Sequence, residues 1–165
     1  VGAYGLPVSG ELTHLDEQGH ARMVDVTTKQ VTTRTAKARC TVAVSPTVVG
    51  LLRSGAVPKG DALAVARIAA IAATKRTPDL IALCHPIAVH GVDVETAVGE
   101  ETVEILVTVR TADRTGVEME ALTGAAVGGL ALIDMVKAVD RSASIAEVVL
   151  LSKSGGRSGD WVRTP

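Results

Sequence analysis

Phenylalanine is absent from this chain of 165 residues, and its only aromatic side chains are Tyr4 and Trp161. Sheets and grooves that stack the bases of RNA or single-stranded DNA rely on several aromatic platforms, so this shortage weighs against such a surface. Net charge is nearly missing too: 17 Lys and Arg against 18 Asp and Glu leave −1 at pH 7. No global field draws the chain to nucleic acid or an anionic membrane, and any anion site must be local. Cysteine is scarce, and Cys40 and Cys84 have no paired spacing, which suits a reducing cytoplasm. Long apolar runs are also lacking. The uncharged stretch ALTGAAVGGLALI at 121–133 has 13 residues, short of the roughly 18 of a membrane span, and reads as a buried helix. VGAYGLPVSG at 1–10 has no basic flank followed by an apolar core, so no secretory signal is expected.

What is present is aliphatic. Hydrophobic residues make up 47% of the chain, so Ala, Val, Leu and Ile must build the core, and the length suits one core rather than two. Residues 1–22 lack sustained periodicity and are expected to form a flexible N-terminal arm. Residues 23–165 are expected to form a single domain ending in a Gly-rich loop. Over 31–44, Ala36, Ala38, Cys40, Val42 and Val44 share one parity, while Thr35, Lys37, Arg39 and Thr41 share the other, the pattern of a half-buried strand. Arg34 has the apolar parity but precedes that face, which would let its guanidinium reach a cavity at the end of the core.

Ser45, Pro46 and Gly55 mark the cap, first turn and stop of a short helix, and Asp61 caps a second, Ala-rich helix over 63–74. Segments 89–98 and 102–110 alternate on either side of GEE, a hairpin signal. Thr115 and Glu118 fit a capping box ahead of a long helix to about residue 139. A last strand over 144–152 leads into KSGGRSGDW. The order is βαββαβ with one extra helix, which predicts an α+β ferredoxin-like sandwich: an antiparallel sheet with helices on one face. Val and Ile recur on both parities of several strands, so an oligomer interface is expected on the other face.

Polar groups interrupt this patterning at a few places, each with a plain structural reading beside a functional one. Asp134 and Lys137, three apart on the long helix, suit a surface ion pair worth about 0.2–0.5 kcal/mol; after a buried apolar run they equally suit an acid/base pair at the rim of a cleft. Glu118 and Glu120 suit an ordinary acidic first turn. Glu120 and Asp134 fall on nearly the same helix face, yet their separation in the sequence, at about 1.5 Å rise per residue, sets them roughly 21 Å apart. One small ligand spans that distance only if an oligomer interface brings Glu120 of one copy to Asp134 of another.

Lys59, in the turn VPKGD beside a helix start, suits an exposed lysine or an anion contact. KSGGRSGD lacks the order of a Walker phosphate loop but can carry Lys153 and Arg157 toward a phosphate. His85 and His90 suit core histidines bonded to carbonyls, and with Cys84 they do not match a usual zinc spacing. On an extended segment Cys84 and His85 point to opposite faces, so one side chain rather than both is expected in a pocket.

Taken together, LTHLDEQGHARMVDV, KGDALAVARIAAIAATKRTPDLIALCHP, TGVEMEALTGAAVGGLALIDMVKAVD and LLSKSGGRSGDW closely resemble the cyclic pyranopterin monophosphate synthase family, the C proteins of molybdenum cofactor biosynthesis. The likeness runs from about Leu12 to Trp161. It implies a ferredoxin-like catalytic subunit assembled as dimers into a hexamer, with the active site at a dimer interface. It implies a cytoplasmic lyase that converts a cyclised dihydro-GTP, (8S)-3',8-cyclo-7,8-dihydroguanosine 5'-triphosphate, to cyclic pyranopterin monophosphate with loss of diphosphate. No cofactor, metal, nucleic acid or membrane is implied. By matching position, the resemblance implies Asp134 as catalytic, with Lys137 and Lys59 as acid/base or electrostatic partners. It implies Leu83, Cys84, His85, Met119 and Glu120 as substrate-binding, and Arg34 and Lys153 as triphosphate contacts. Pro86 disfavours a helical conformation at the residue before it, so His85 is the side chain expected to act and the Cys84 thiol is expected to be dispensable. The alternative is a non-catalytic ferredoxin-like module that binds a phosphorylated metabolite.

Overall fold

The computed structural model describes residues 16, 18–157 and 159–164, so most of the expected arm over 1–22 lies outside the described residues. Strand β1 (Thr32–Ala43) follows the alternation, with Ala36, Ala38, Cys40 and Val42 buried. Helix α1 (Pro46–Ser54) starts where the Ser45 hydroxyl accepts from the Val48 N–H at 3.5 Å and stops at Gly55. Helix α2 (Ala62–Thr74) is capped by the Asp61 carboxylate, which accepts from the Ala64 N–H at 2.9 Å. One further turn, α3 (Thr77–Leu80), was not foreseen because four residues are too few to show a helical period. The hairpin is β2 (Gly91–Val98) and β3 (Thr102–Asp113); α4 (Glu118–Val136), β4 (Ser144–Ser154) and the short β5 (Trp161–Val162) follow.

The strand order is β2-β3-β1-β4-β5, antiparallel throughout. This is the expected ferredoxin-like arrangement with β5 added at an edge. Helices α2 and α4 lie side by side over one face. Small residues allow their approach: a Cβ added to Gly124 would meet Thr74 Oγ1 at 2.5 Å, and one on Gly128 would meet Ala70 Cβ at 3.2 Å. Helix α4 has the length and composition to cross a bilayer, but its Ala and Gly face is buried against the sheet and α2, the place of a core helix.

Three expectations need correction. The long helix does not begin with a Thr115 capping box: Val117 is the N-cap residue and makes no side-chain cap bond. The Glu118 carboxylate instead folds back over Gly116 and faces Lys153 at 3.6 Å. The helix also ends at Val136, three residues early, and Asp140 beyond it accepts from the Ser45 N–H at 2.7 Å and the Ser142 N–H at 2.9 Å. The open sheet face is more polar than Val and Ile on both parities suggested. Leu106 and Val149 lie on it among threonines and cross-strand ion pairs, Arg39 with Glu104 at 3.4 Å and Glu147 at 2.5 Å, and Arg110 with Asp93 at 2.6 Å.

Candidate active site

The antiparallel registers bring the start of β1 and the ends of β3 and β4 to one end of the sheet. Arg34 leaves β1 there, and its Nε and Nη2 donate to the carbonyls of Asp113 and Arg114, both at 3.1 Å. The Gly-rich loop closes on this guanidinium. Gly155 and Gly156 have φ of 85° and 76°; a Cβ on Gly156 would lie 2.2 Å from Arg34 Nη1, and one on Gly155 2.2 Å from the Thr33 carbonyl oxygen. Both the backbone conformation and the space therefore require glycine.

Segment 21–31 crosses the same end as a strap. Arg114 Nε donates to the Lys29 carbonyl at 3.0 Å, and His85 Nε2 donates to the Val24 carbonyl at 2.6 Å. That second bond leaves His85 Nδ1 as the acceptor of the neutral ring. Within the strap, Asp25 accepts from the hydroxyl and the N–H of Thr27, which hold its carboxyl below the usual range. These elements enclose a cavity of about 700 Å³ lined by Lys29, Arg34, Arg114 and Arg157, together with Thr and Gly residues and Gln30. Among the described residues, no carboxylate lines it. Guanidinium forks in such a setting suit phosphate oxygens.

A second cavity of about 420 Å³ adjoins the first, sharing Lys29, Thr115, Gly116 and Arg157. Leu83, Cys84, His85, Met119 and Glu120 line it. Cys84 and His85 thus reach one pocket, against the alternation argument. The reason is local: Cys84 N–H bonds the Ile81 carbonyl at 3.0 Å in a turn, so the segment is not an extended strand there. Burial raises the Cys84 thiol, and the nearby Glu120 adds to it. Glu120 is only 3% exposed. Burial pushes its carboxyl up to about 7, against its own backbone N–H and with help from Glu118. His90 has a structural place, its Nδ1 accepting from the Ala112 N–H at 3.3 Å.

A separate cluster lies near the other end of α4. Lys59 Nζ bonds the Asp134 carbonyl at 2.8 Å and its Oδ2 at 3.1 Å, while Lys137 Nζ meets Oδ1 at 2.6 Å. Bonds from Lys137 and Lys59 hold the Asp134 carboxyl below its usual range. Within one chain, then, the fold brings Lys59, Asp134 and Lys137 together but keeps them away from His85 and Glu120. Asp134 is exposed while Glu120 is buried despite their shared helix face. Glu120 lines a small inner cavity together with Thr74, Pro78, Ile87 and Val89, whereas Asp134 is flanked by the exposed Lys59 and Lys137.

Sequence reasoning missed Lys29 and Arg114 as cavity residues. Their one sequence signal is that each is a cation beside a Thr in a stretch without periodicity, Thr28-Lys29 and Arg114-Thr115.

Comparison with known proteins matches residues 23–156 to the MoaC family. A protein of Streptomyces griseus named cyclic pyranopterin monophosphate synthase is 62% identical over 159 residues, covering 96% of this chain and 90% of the relative. One of the same name from a Nocardioides species is 57% identical over 155 residues, covering 92% of this chain and 95% of the relative. A Mycobacterium bovis protein named cyclic pyranopterin monophosphate synthase 2 is 56% identical over 155 residues, covering 94% and 93%.

Proposed function

The chain belongs to the MoaC family, and from that premise we propose that it is a cyclic pyranopterin monophosphate synthase that acts on the cyclised dihydro-GTP triphosphate and releases diphosphate. One observation carries the reading: a cavity lined by four cations adjoins a second one lined by His85 and Glu120, with Lys29 and Arg157 in both linings. The first suits a triphosphate and the second a purine-derived ring system. The reaction opens and rebuilds those rings through proton transfers. It then forms a bond from a sugar hydroxyl oxygen to the α-phosphorus while the bridging bond to diphosphate breaks. Lys29, Arg34, Arg114 and Arg157 neutralise charge on the departing diphosphate, and Lys153, which faces Glu118 of the second cavity at 3.6 Å, is a further triphosphate contact. His85 and Glu120 contact the ring system alongside the Leu83–Cys84 segment and Met119.

Lys59, Asp134 and Lys137 enter from a second copy of the chain. In an antiparallel pairing of two α4 helices centred on Val127, residue 120 of one lies level with residue 134 of the other. Met119 and Leu130 are exposed on α4, the latter at 57%, and Val65 and Ile68 on α2; they supply an apolar surface for such a contact. The open sheet face, with Leu106 and Val149, joins these dimers into a hexamer. Two ammonium groups around Asp134 then serve as proton donors and as electrostatic support for negative charge. The assembly works in the cytoplasm.

The test is incubation of the purified chain with the cyclised triphosphate, following diphosphate release and pterin fluorescence after oxidation. Turnover is expected. Tight binding without turnover would instead mean a metabolite-binding module, and absence of binding would remove both readings.

A further inference from the structure

We propose that Glu120 carries protons between the substrate pocket and solvent, with a side cavity behind it as the exit. The proposal rests on the function above, because it assigns Glu120 a part in that reaction.

Glu120 stands in the first turn of α4 between two cavities. In front lies the pocket of about 420 Å³ that holds His85 and Cys84. Behind lies a smaller one of about 120 Å³, lined by Thr74, Lys75, Pro78, Ile87 and Val89. It has room for a few waters at about 30 Å³ each. Lys75 on its lining is exposed, which gives the side cavity a solvent-facing side away from the lining of the front pocket. Among the described residues, Glu120 is the one that lines both.

Glu120 as a residue is buried, at 3% exposure. Among the described residues no cation pairs with it within 4 Å, and its own backbone N–H offsets the effect of burial only in part. The titratable and charged groups around it are Glu118 on the same helix, Cys84 and His85 on the loop ahead of β2, and Lys75 at the end of α2. Lys29 and Arg157 face it across the front pocket. Burial, with Glu118 nearby, raises the group to about 7, so its two protonation states are both populated near neutral pH.

The step is a plain proton relay. The Glu120 carboxylate takes a proton from a substrate N–H or O–H, whose electron pair stays on the substrate. The neutral carboxyl then gives the same proton to water in the side cavity. Run backwards, the same path delivers a proton to the substrate. The Lys59, Asp134 and Lys137 cluster is near the other end of the helix, so this path is distinct from it.

The test compares steady-state kinetics of the wild type, Glu120→Gln and Glu120→Asp with the cyclised triphosphate over about pH 5 to 9. Glu120→Gln is expected to lower kcat about 100-fold with KM within about 3-fold, and to remove the pH limb near neutrality. Glu120→Asp keeps the limb. An unchanged kcat for Glu120→Gln, or a change in KM alone, would overturn the relay.

A second measurement needs no substrate: thermal unfolding of the wild type and Glu120→Gln across the same pH range. The folded-state value, about 7, lies above the ordinary glutamate value of 4.5. Wild-type stability should therefore fall relative to Glu120→Gln as pH rises between these two values. A gap in Tm that does not vary with pH would count against the relay. If the wild type itself fails to turn over, the proposed function falls, while this unfolding series still decides whether Glu120 titrates as the relay requires.

Discussion

Gly156 decides where a cation sits without carrying any charge itself. A methyl group there would strike Arg34 Nη1 at 2.2 Å, so the guanidinium would have to leave the Asp113 and Arg114 carbonyls that hold it. Gly156→Ala is therefore expected to raise KM for the triphosphate about 10-fold and to lower kcat as well, because the displaced guanidinium contacts the phosphates of the bound substrate and the diphosphate as it leaves. An unchanged KM would show that Arg34 does not grip the substrate. His85 illustrates the same dependence on neighbours. Its bond to the Val24 carbonyl both sets the ring tautomer and ties the strap that brings Lys29 into the cavity, so one side chain serves the pocket in two ways.

Among the elements, α4 has the widest reach. Its Gly and Ala face packs on α2 and the sheet, its first turn supplies Met119 and Glu120, and its last supplies Asp134. The close approach to α2 depends on missing side chains. A Cβ on Gly124 would lie 2.5 Å from Thr74 Oγ1 and 3.1 Å from the Ala70 carbonyl oxygen. Gly124→Ala should consequently destabilise the fold by about 1–3 kcal/mol through overpacking. A lowered urea midpoint with an unchanged m-value is the expected signature, and an unchanged midpoint would mean that the two helices can shift apart freely. The capping box read at Thr115 failed on a related point. Capping motifs assume that the side chains serve the helix, but here Glu118 turns toward Lys153 and Gly116, at the rim of the cavity.

At the scale of the whole molecule, two polar clusters lie near opposite ends of α4, and the proposed function requires a second copy to bring them into one site. Because Lys59 and Asp134 bond within one chain, mixing variants of those two would not report on sharing. His85→Ala chains mixed with Asp134→Ala chains would. In a twofold dimer, half of a random mixture is heterodimer, and each heterodimer keeps one intact site of two, so about a quarter of wild-type activity should return. No recovery in verified mixed oligomers would place both clusters in separate roles.

The sequence alone determined the local structure, because local structure follows from local chemistry. Ser45, Pro46, Gly55 and Asp61 fixed two helices, and alternation on β1 and β3 fixed which side chains are buried. The motifs MVDV, DLIALCHP, TGVEMEALT and DMVKAV brought the family into view. The tertiary structure decided what depends on contacts distant in sequence. It grouped Lys29, Arg34, Arg114 and Arg157 around one cavity, placed Cys84 beside His85 through a turn, and buried Glu120 while leaving Asp134 exposed. No periodicity records such groupings: the antiparallel registers of β1 with β3 and β4 bring these segments to one end of the sheet, and only the assembled sheet sets their spacing.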